Sequence, residues 1–199
     1  MTTRRRCTGA ILAGGRATRM GGVPKGLTTV GGRRIVDRVA AALREAADDL
    51  LLVANDPDAS RWLDGVTVTR DVRPGAGALS GIHAALVASG TDVLVVAWDA
   101  PFVSAPLLRA LRDAGERAGT GAAVPVSEAR FGFEPLCAWY AADCLAAVTR
   151  ALDEQRVHAG GWQRELPLCE VDPSPFGDRR TIFMNVNTPD DLALAERLA

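Results

Sequence analysis

The chain has 199 residues, a formal net charge of −1, 48% hydrophobic residues and 24% charged residues. Such a length predicts one domain with a sizeable core, residues 1–199. The near-zero net charge argues against a nucleic-acid-binding protein, which normally carries a basic surplus. A local basic cluster, Arg4–Arg6, is explained equally well by a solvated terminus.

The cysteines are scattered along the chain, at positions 7, 137, 144 and 169. They form no Cys-x-x-Cys pair, and two histidines are too few to complete a typical zinc site, so no zinc is expected. Scattered thiols are typical of buried small side chains in a reducing compartment. The apolar run behind the basic cluster is too short for a signal peptide or a membrane span, which predicts a cytoplasmic protein without a membrane partner.

Apolar, β-branched runs alternate with alanine- and leucine-rich stretches. The runs predict strands over Thr8–Ala13, Leu50–Ala54, Val66–Thr69, Val93–Ala97 and Ala122–Val126. The stretches predict helices over Ile35–Ala47, Leu79–Ala88, Ala105–Ala118, Ala142–Leu152 and Pro189–Leu198. This alternation predicts a three-layer α/β fold, a mostly parallel sheet with helices on both faces. The continuous apolar run Val93–Val96 predicts a central strand buried on both sides.

Residues 127–185 are less regular and hold most of the aromatic side chains. We expect an elaboration of the same domain there, with long loops and an antiparallel element.

The segment Ala10–Lys25 is an apolar run that breaks into paired glycines. Gly14 and Gly15 allow a sharp turn and a close approach to a ligand, because glycine has no Cβ. Backbone amides in such a turn bind anions, and Arg19 and Lys25 add positive charge. The segment therefore predicts a polyphosphate site, although a glycine-rich surface turn with two solvated cations is the simpler alternative.

Neither of the two commoner phosphate loops is present. The chain lacks Gly-x-x-x-x-Gly-Lys-Ser/Thr, and the glycines at 14, 15, 21 and 22 do not form Gly-x-Gly-x-x-Gly.

Polar residues or glycines follow four of the predicted strands. They are Gly14–Gly15, Asn55, Asp71 and Asp99. Ligands of doubly wound sheets bind beyond the carboxyl ends of the strands, so we expect these residues to converge at one edge. Asn55 and Asp71 are explained equally well as turn formers.

Asp99 directly follows the strand over Val93–Ala97 and its neighbour Trp98. A lone carboxylate there is a typical Mg²⁺ ligand, since Mg²⁺ takes one or two carboxylates together with phosphates and water. Asp99 could instead cap the helix that begins near Ala105, but Ser104 is better placed as that cap.

A second glycine-rich loop, Gly75–Ile82, opens a predicted helix. Helix N-termini bind anions, although an ordinary connection capped by Ser80 is the alternative. His83 and His158 have no nucleophile partner in the sequence, so we interpret both as structural.

Near the C-terminus, Thr188, Pro189 and Asp191 predict a capped helix start. That cap leaves Asn185 and Asn187, on one side of an extended segment, free to contact a ligand.

Four motifs together resemble the molybdenum cofactor guanylyltransferase family. They are Leu12-Ala-Gly-Gly-x-x-x-Arg19-Met-Gly-x-x-Lys25, Gly-x-Leu79-Ser-Gly81-Ile, Asp99-x-Pro101-Phe and Asn185-Val-Asn187-Thr-Pro. The resemblance spans nearly the whole chain in the family's order. The first motif is shared with many nucleotidyltransferases, whereas its combination with the last is far more specific.

The resemblance implies a Rossmann-like nucleotidyltransferase fold that transfers GMP from Mg·GTP to molybdopterin phosphate and releases pyrophosphate. It implies Mg²⁺ as cofactor, GTP and molybdopterin as substrates, and molybdoenzyme-maturation proteins as further partners. The acceptor phosphate is already anionic, so no general base is needed.

The resemblance also implies roles for individual residues. The nucleotide would contact Leu12, Ala13, Gly14, Gly15, Lys25, Asn55, Asp71, Leu79 and Gly81. The acceptor would contact Asn185 and Asn187. The charge of the transferring phosphates would be offset by Arg19, by Lys25 and by Mg²⁺ held on Asp99, with Asn187 near the metal.

The chain departs from the family pattern at Trp98, where a smaller residue is usual, and at Ala78, where proline is common. We expect Trp98 to reshape the acceptor side.

Two other functions remain open from the sequence. A cytidylyltransferase, or a nucleotidyltransferase acting on another small phosphorylated acceptor, is the nearer one. Cytidylyl relatives usually have Leu-Ala-Ala-Gly in the first motif, whereas Gly14 leaves room for a purine. The second is a noncatalytic nucleotide-binding homologue, which the presence of Lys25 and Asp99 disfavours.

Overall fold

The computed structural model describes residues 4–14, 19–20, 23–73, 76–156, 162 and 166–199. The strands are β1 (Cys7–Ala13), β2 (Arg19–Met20), β3 (Val23–Pro24), β4 (Thr29–Val30), β5 (Arg33–Arg34), β6 (Asp49–Ala54), β7 (Thr67–Thr69), β8 (Asp92–Ala97), β9 (Ala122–Pro125), β10 (Cys137–Tyr140) and β11 (Leu168–Val171). The helices are α1 (Ile35–Arg44), α2 (Gly77–Ser89), α3 (Ala105–Ala118), α4 (Leu145–Asp153), α5 (Arg179–Ile182) and α6 (Pro189–Leu198). Short 3-10 turns cover Lys25–Leu27, Ala59–Arg61, Ala142–Cys144 and Ser174–Phe176.

Seven strands form one sheet in the order β11-β9-β10-β8-β1-β6-β7. Strand β1 pairs in parallel with β8 and β6, and β6 pairs in parallel with β7. Strand β10 runs antiparallel between β8 and β9. The carboxyl ends of β8, β1, β6 and β7 therefore lie at one edge.

Helices cover both faces of the sheet, as the alternation of β1 side chains illustrates. Residues 9 and 12 point to opposite faces because side chains alternate along a strand. A Cβ built on Gly9 would lie 3.0 Å from Leu43, so α1 packs on the face of residue 9. A Cβ built on Gly81 would lie 3.1 Å from Leu12, so α2 packs on the face of residue 12. The three-layer α/β prediction is confirmed.

The predicted strands and helices are all present, with ends shifted by a few residues. Strand β8 is central, and Val93–Val96 is fully buried. Helix α1 ends at Arg44, and the predicted Ala142–Leu152 helix divides into a 3-10 turn followed by α4. Thr188 and Asp191 form the predicted capping box of α6.

The region 127–185 contains the expected antiparallel element, which is β10, and also the unpredicted parallel strand β11. Its aromatic residues Trp139, Tyr140 and Trp162 are buried in the core. Across the described ranges, no helix has both the length and the apolar character needed to cross a membrane.

Candidate active site

Asn55 and Asp71 lie side by side at the carboxyl ends of β6 and β7. Asn55 donates from Nδ2 to Asp71 Oδ2 over 3.0 Å, and Asp71 donates its backbone N–H to Asn55 Oδ1 over 2.9 Å. Burial raises the pKa of the Asp71 carboxyl, and the hydrogen bond from Asn55 opposes that rise. The two residues form one polar unit, as the predicted convergence of strand ends requires.

Lys25 begins the 3-10 turn that follows the β2–β3 hairpin, and it is buried although it carries a charge. Its Nζ donates to Asn187 Oδ1 over 2.5 Å. The first and last motifs of the chain therefore meet directly. A buried ammonium needs such a partner, because unpaired burial of a charge is costly.

Asp99 lies half-buried just beyond β8. Burial raises the pKa of its carboxyl above the ordinary value of 3.8, and the positive charge of Lys25 partly offsets that effect. The backbone carbonyl of Asp99 accepts the Val186 N–H over 2.9 Å. This bond fixes the segment that carries Asn185 and Asn187 beside the Asp99 turn.

Asp191 holds the end of that segment. Its Oδ2 accepts the backbone N–H groups of Asn187 and Thr188 over 3.0 and 2.9 Å. These hydrogen bonds lower the pKa of the Asp191 carboxyl. The capping of α6 thus leaves the Asn187 side chain free to contact Lys25.

A cleft of about 220 Å³ opens beside Asp99. Its lining residues are Ala97, Asp99, Ala100, Val103, Glu134, Pro135, Leu136, Cys137, Ile182, Phe183, Asn185 and Asn187. The two predicted acceptor-side asparagines and the predicted metal carboxylate therefore share one cavity. The wall formed by Glu134–Cys137 was not predicted, because its strand β10 is short and has no clear alternation.

Leu12 and Ala13 are buried at the carboxyl end of β1, and Leu79 and Gly81 are buried on α2. The Leu12 carbonyl accepts the Trp98 N–H over 3.2 Å. Leu12 also packs against Gly81. These motif residues therefore form the contact between the end of β1 and the first turns of α2.

Gly14 is exposed, and its backbone φ is not in the left-handed region. A Cβ built on Gly14 meets no heavy atom of the described residues within 4 Å. Within the described residues, nothing in the fold requires a glycine at this position.

Trp98 is not among the residues that line the cleft beside Asp99, so its expected effect on the acceptor side stays a prediction. Its ring stacks on Trp62 with centroids 5.1 Å apart. It also lies against Gly26, where a Cβ would approach to 2.4 Å of Trp98 Cε3. The Trp98 ring therefore packs directly under the turn that begins at Lys25. Position 26 of that turn has room only for a glycine, because any Cβ would clash with the ring.

Ser80 does not cap α2, because the helix begins three residues earlier, at Gly77. Its hydroxyl donates to the Arg73 carbonyl over 2.8 Å instead. Among the described residues, no side chain caps this helix start. Ser104 caps α3 as predicted.

His83 is buried, and its Nδ1 has no hydrogen-bond partner among the described residues. Burial lowers the pKa of His83, and the charge of Arg73 adds to this effect. These surroundings agree with a structural histidine. His158, Gly15 and the side chain of Arg19 lie outside the described residues.

The oxygen donors near Asp99 fit Mg²⁺, which prefers a small number of protein oxygens with phosphates and waters completing its shell. Asp99 supplies a carboxylate and Asn187 an amide oxygen that already accepts one hydrogen bond. No group of three histidine, cysteine or acidic side chains that could hold a metal exists within the described part of the chain. The donor set is therefore unlike a closed structural metal site.

Known proteins are similar over nearly the full length of the chain. A molybdenum cofactor guanylyltransferase of Desulfosudis oleivorans is 33% identical, covering 95% of this chain and 94% of its own. One of Cereibacter sphaeroides is 38% identical, covering 97% of each. The crystal structure of molybdopterin-guanine dinucleotide biosynthesis protein A from Archaeoglobus fulgidus is 28% identical, with a TM-score of 0.80 over 96% of this chain and 97% of that one.

These likenesses, together with the sheet and its polar carboxyl edge, define an enzyme of the nucleotidyltransferase class with a Rossmann-like fold. The sequence pattern of the MobA-like NTP transferase domain matches residues 9–166. The chain belongs to this family.

Proposed function

We propose that this chain transfers GMP from Mg·GTP to the terminal phosphate of molybdopterin, forming a guanine dinucleotide cofactor and releasing pyrophosphate. The observation that carries the proposal is the hydrogen bond from Lys25 to Asn187 beside Asp99. It joins the segment proposed for the donor phosphates to the segment proposed for the acceptor. The relatives named molybdenum cofactor guanylyltransferase support the choice of substrates.

In this reaction an acceptor phosphate oxygen forms a bond to the α-phosphorus of GTP, and the bond to pyrophosphate breaks. The nucleophile is already anionic, so the protein has no proton to remove. Positioning and charge neutralisation supply most of the acceleration of phosphoryl transfer. We assign neutralisation of the donor phosphates to Lys25 and Arg19.

Asp99 is the proposed ligand of Mg²⁺, with Asn187 as its neighbour. When bound, the ion supplies charge neutralisation at the phosphates. The half-buried Asp99 carboxylate supports this role, because its charge is otherwise opposed chiefly by Lys25. Asn185 and Asn187 are assigned to the acceptor side because both line the cleft beside Asp99.

The nucleoside is assigned to the polar pair Asn55–Asp71 and to the floor and turn formed by Leu12, Ala13, Gly14, Gly15, Leu79 and Gly81. The open space at Gly14 supports a purine rather than a pyrimidine.

The test is incubation of the protein with molybdopterin and either Mg·GTP or Mg·CTP, with measurement of pyrophosphate and of the dinucleotide product. We expect product with GTP and little with CTP. A preference for CTP would overturn the base assignment. Binding of GTP without any transfer would instead indicate a noncatalytic nucleotide-binding protein.

A further inference from the structure

The cleft beside Asp99 holds a second carboxylate, that of Glu134, which the transfer chemistry does not use. The Glu134 backbone is fixed on both sides. Its N–H donates to the Pro125 carbonyl over 3.2 Å, and its carbonyl accepts the Cys137 N–H over 3.2 Å. Since β9 ends at Pro125 and β10 begins at Cys137, two strands of the sheet hold this residue at the cleft wall.

Glu134 is a half-buried residue, and its carboxylate makes no hydrogen bond or ion pair with the described residues. No lysine, arginine or histidine is among the residues that line the cleft. The Cys137 thiol lies close to it: burial raises the pKa of Cys137 to about 12, and the negative charge of Glu134 contributes to the rise. A carboxylate that lines a cleft without a donor from the protein has both oxygens available to accept hydrogen bonds from a ligand bound there.

We infer that Glu134 recognises the pterin ring of the acceptor by accepting hydrogen bonds from its N3–H and 2-amino groups. This inference rests on the proposed function. The two N–H groups lie on one edge of the ring in an amidine-like arrangement, which matches the two oxygens of a carboxylate as a guanidinium does. Glutamate and aspartate accept hydrogen bonds from nucleobase amines in the same manner.

The charge and shape of the cleft fit this assignment. Glu134 repels the acceptor phosphate, whereas the ammonium of Lys25, next to Asn187 of the same cleft, attracts it. Apolar side chains of Leu136, Ile182 and Phe183 also line the cleft and suit a flat heterocycle. The acceptor would thus be bound with its ring and its phosphate at different walls.

The first experiment measures binding of two fluorescent probes, pterin and lumazine, to the purified protein by fluorescence quenching. Lumazine carries an oxo group where pterin carries the 2-amino group. We expect wild-type protein to bind pterin about tenfold more tightly than lumazine, as loss of a charge-assisted hydrogen bond requires. Glu134→Gln should abolish that preference, and Glu128→Gln, at an exposed residue outside the cleft, should retain it. An equal affinity of wild-type protein for both probes, or a retained preference in Glu134→Gln, overturns the inference.

The second experiment measures turnover. Glu134→Gln should raise the KM for molybdopterin about tenfold and leave the KM for GTP unchanged. If wild-type protein does not transfer GMP to molybdopterin, the proposed function fails, and the probe comparison still reports on Glu134. If wild-type protein transfers GMP and the two glutamate variants behave alike, the inference about Glu134 fails alone.

Discussion

Lys25 and Asn187, 162 positions apart in the chain, are joined by a hydrogen bond from Nζ to Oδ1. Lys25 is 6% exposed, and the Asp99 carboxylate is close enough for the two charges to interact. The ammonium is therefore held in place by the fold itself, without a ligand. Preorganised charge of this kind stabilises a transition state without a further reorganisation cost.

A double-mutant cycle tests whether the two residues act together. Lys25→Ala should lower kcat/KM for GTP about 100-fold, and Asn187→Ala about tenfold. Because each removes the same hydrogen bond, the double variant should lose less than the product of these factors, with a coupling of about 0.5–3 kcal/mol. Fully multiplicative losses would show that the contact has no catalytic role.

Asp99→Asn tests the proposed metal ligand. Turnover should fall about 100-fold or more, because the anionic oxygen that would hold Mg²⁺ is lost while the side-chain shape is kept. The fold should be retained, since it is the backbone carbonyl of Asp99 that accepts the Val186 N–H. The measurements are GTP-dependent pyrophosphate release across a Mg²⁺ titration and a urea unfolding curve. Unchanged turnover would rule out the metal assignment.

Strand-end residues could be predicted to converge because the parallel topology leaves little choice. Once β1, β6, β7 and β8 are recognised as parallel, Asn55 and Asp71 must lie near each other at the carboxyl edge. The hydrogen bonds between them confirm that placement. Their role as ligands stays a prediction.

The far wall of the cleft could not be predicted for a physical reason. Strand β10 has four residues, all buried, and a strand covered on both faces shows no alternation that marks it in the sequence. The sequence around Glu134 therefore has no pattern that predicts a wall of the cleft. The contacts of Trp98 could not be predicted either, because its partners, Gly26 and Trp62, are distant in sequence and are brought to it by the fold.

Gly14→Ala tests the basis of guanine selection. The added methyl group meets open space, and the backbone is outside the left-handed region, so the thermal midpoint should be unchanged. If a purine occupies that space, affinity for GTP should fall about tenfold, or ~1.4 kcal/mol, with a smaller change for CTP. Competition binding of the two nucleotides in the presence of Mg²⁺ measures this. Equal losses for both nucleotides would show that Gly14 does not discriminate between bases.

Asp92, at the opposite end of β8 from Asp99, is a buried carboxylate whose two oxygens differ. Its Oδ1 accepts the Ala142 N–H over 2.9 Å and pairs with Arg5 at 3.0 Å, whereas Oδ2 is buried without a hydrogen-bond partner among the described residues. Burial raises the pKa of this carboxyl above the ordinary 3.8, and the bonds to Ala142 and Arg5 oppose the rise. The native protein therefore holds this proton to higher pH than the unfolded chain does.

The consequence is a pH-dependent stability that Asp92→Asn should remove. Because the native state binds more protons, the contribution of Asp92 to the free energy of unfolding is largest below pH 3.8 and is lost as the pH rises through the raised native pKa. The difference in unfolding free energy, wild type minus Asp92→Asn, should therefore increase as the pH falls from neutral toward about 4. Urea unfolding of both proteins over that pH range measures this difference. Groups that titrate alike in the two proteins contribute equally to both free energies and drop out of the difference. A difference that stays constant or decreases on acidification would mean that the native pKa of Asp92 is not raised.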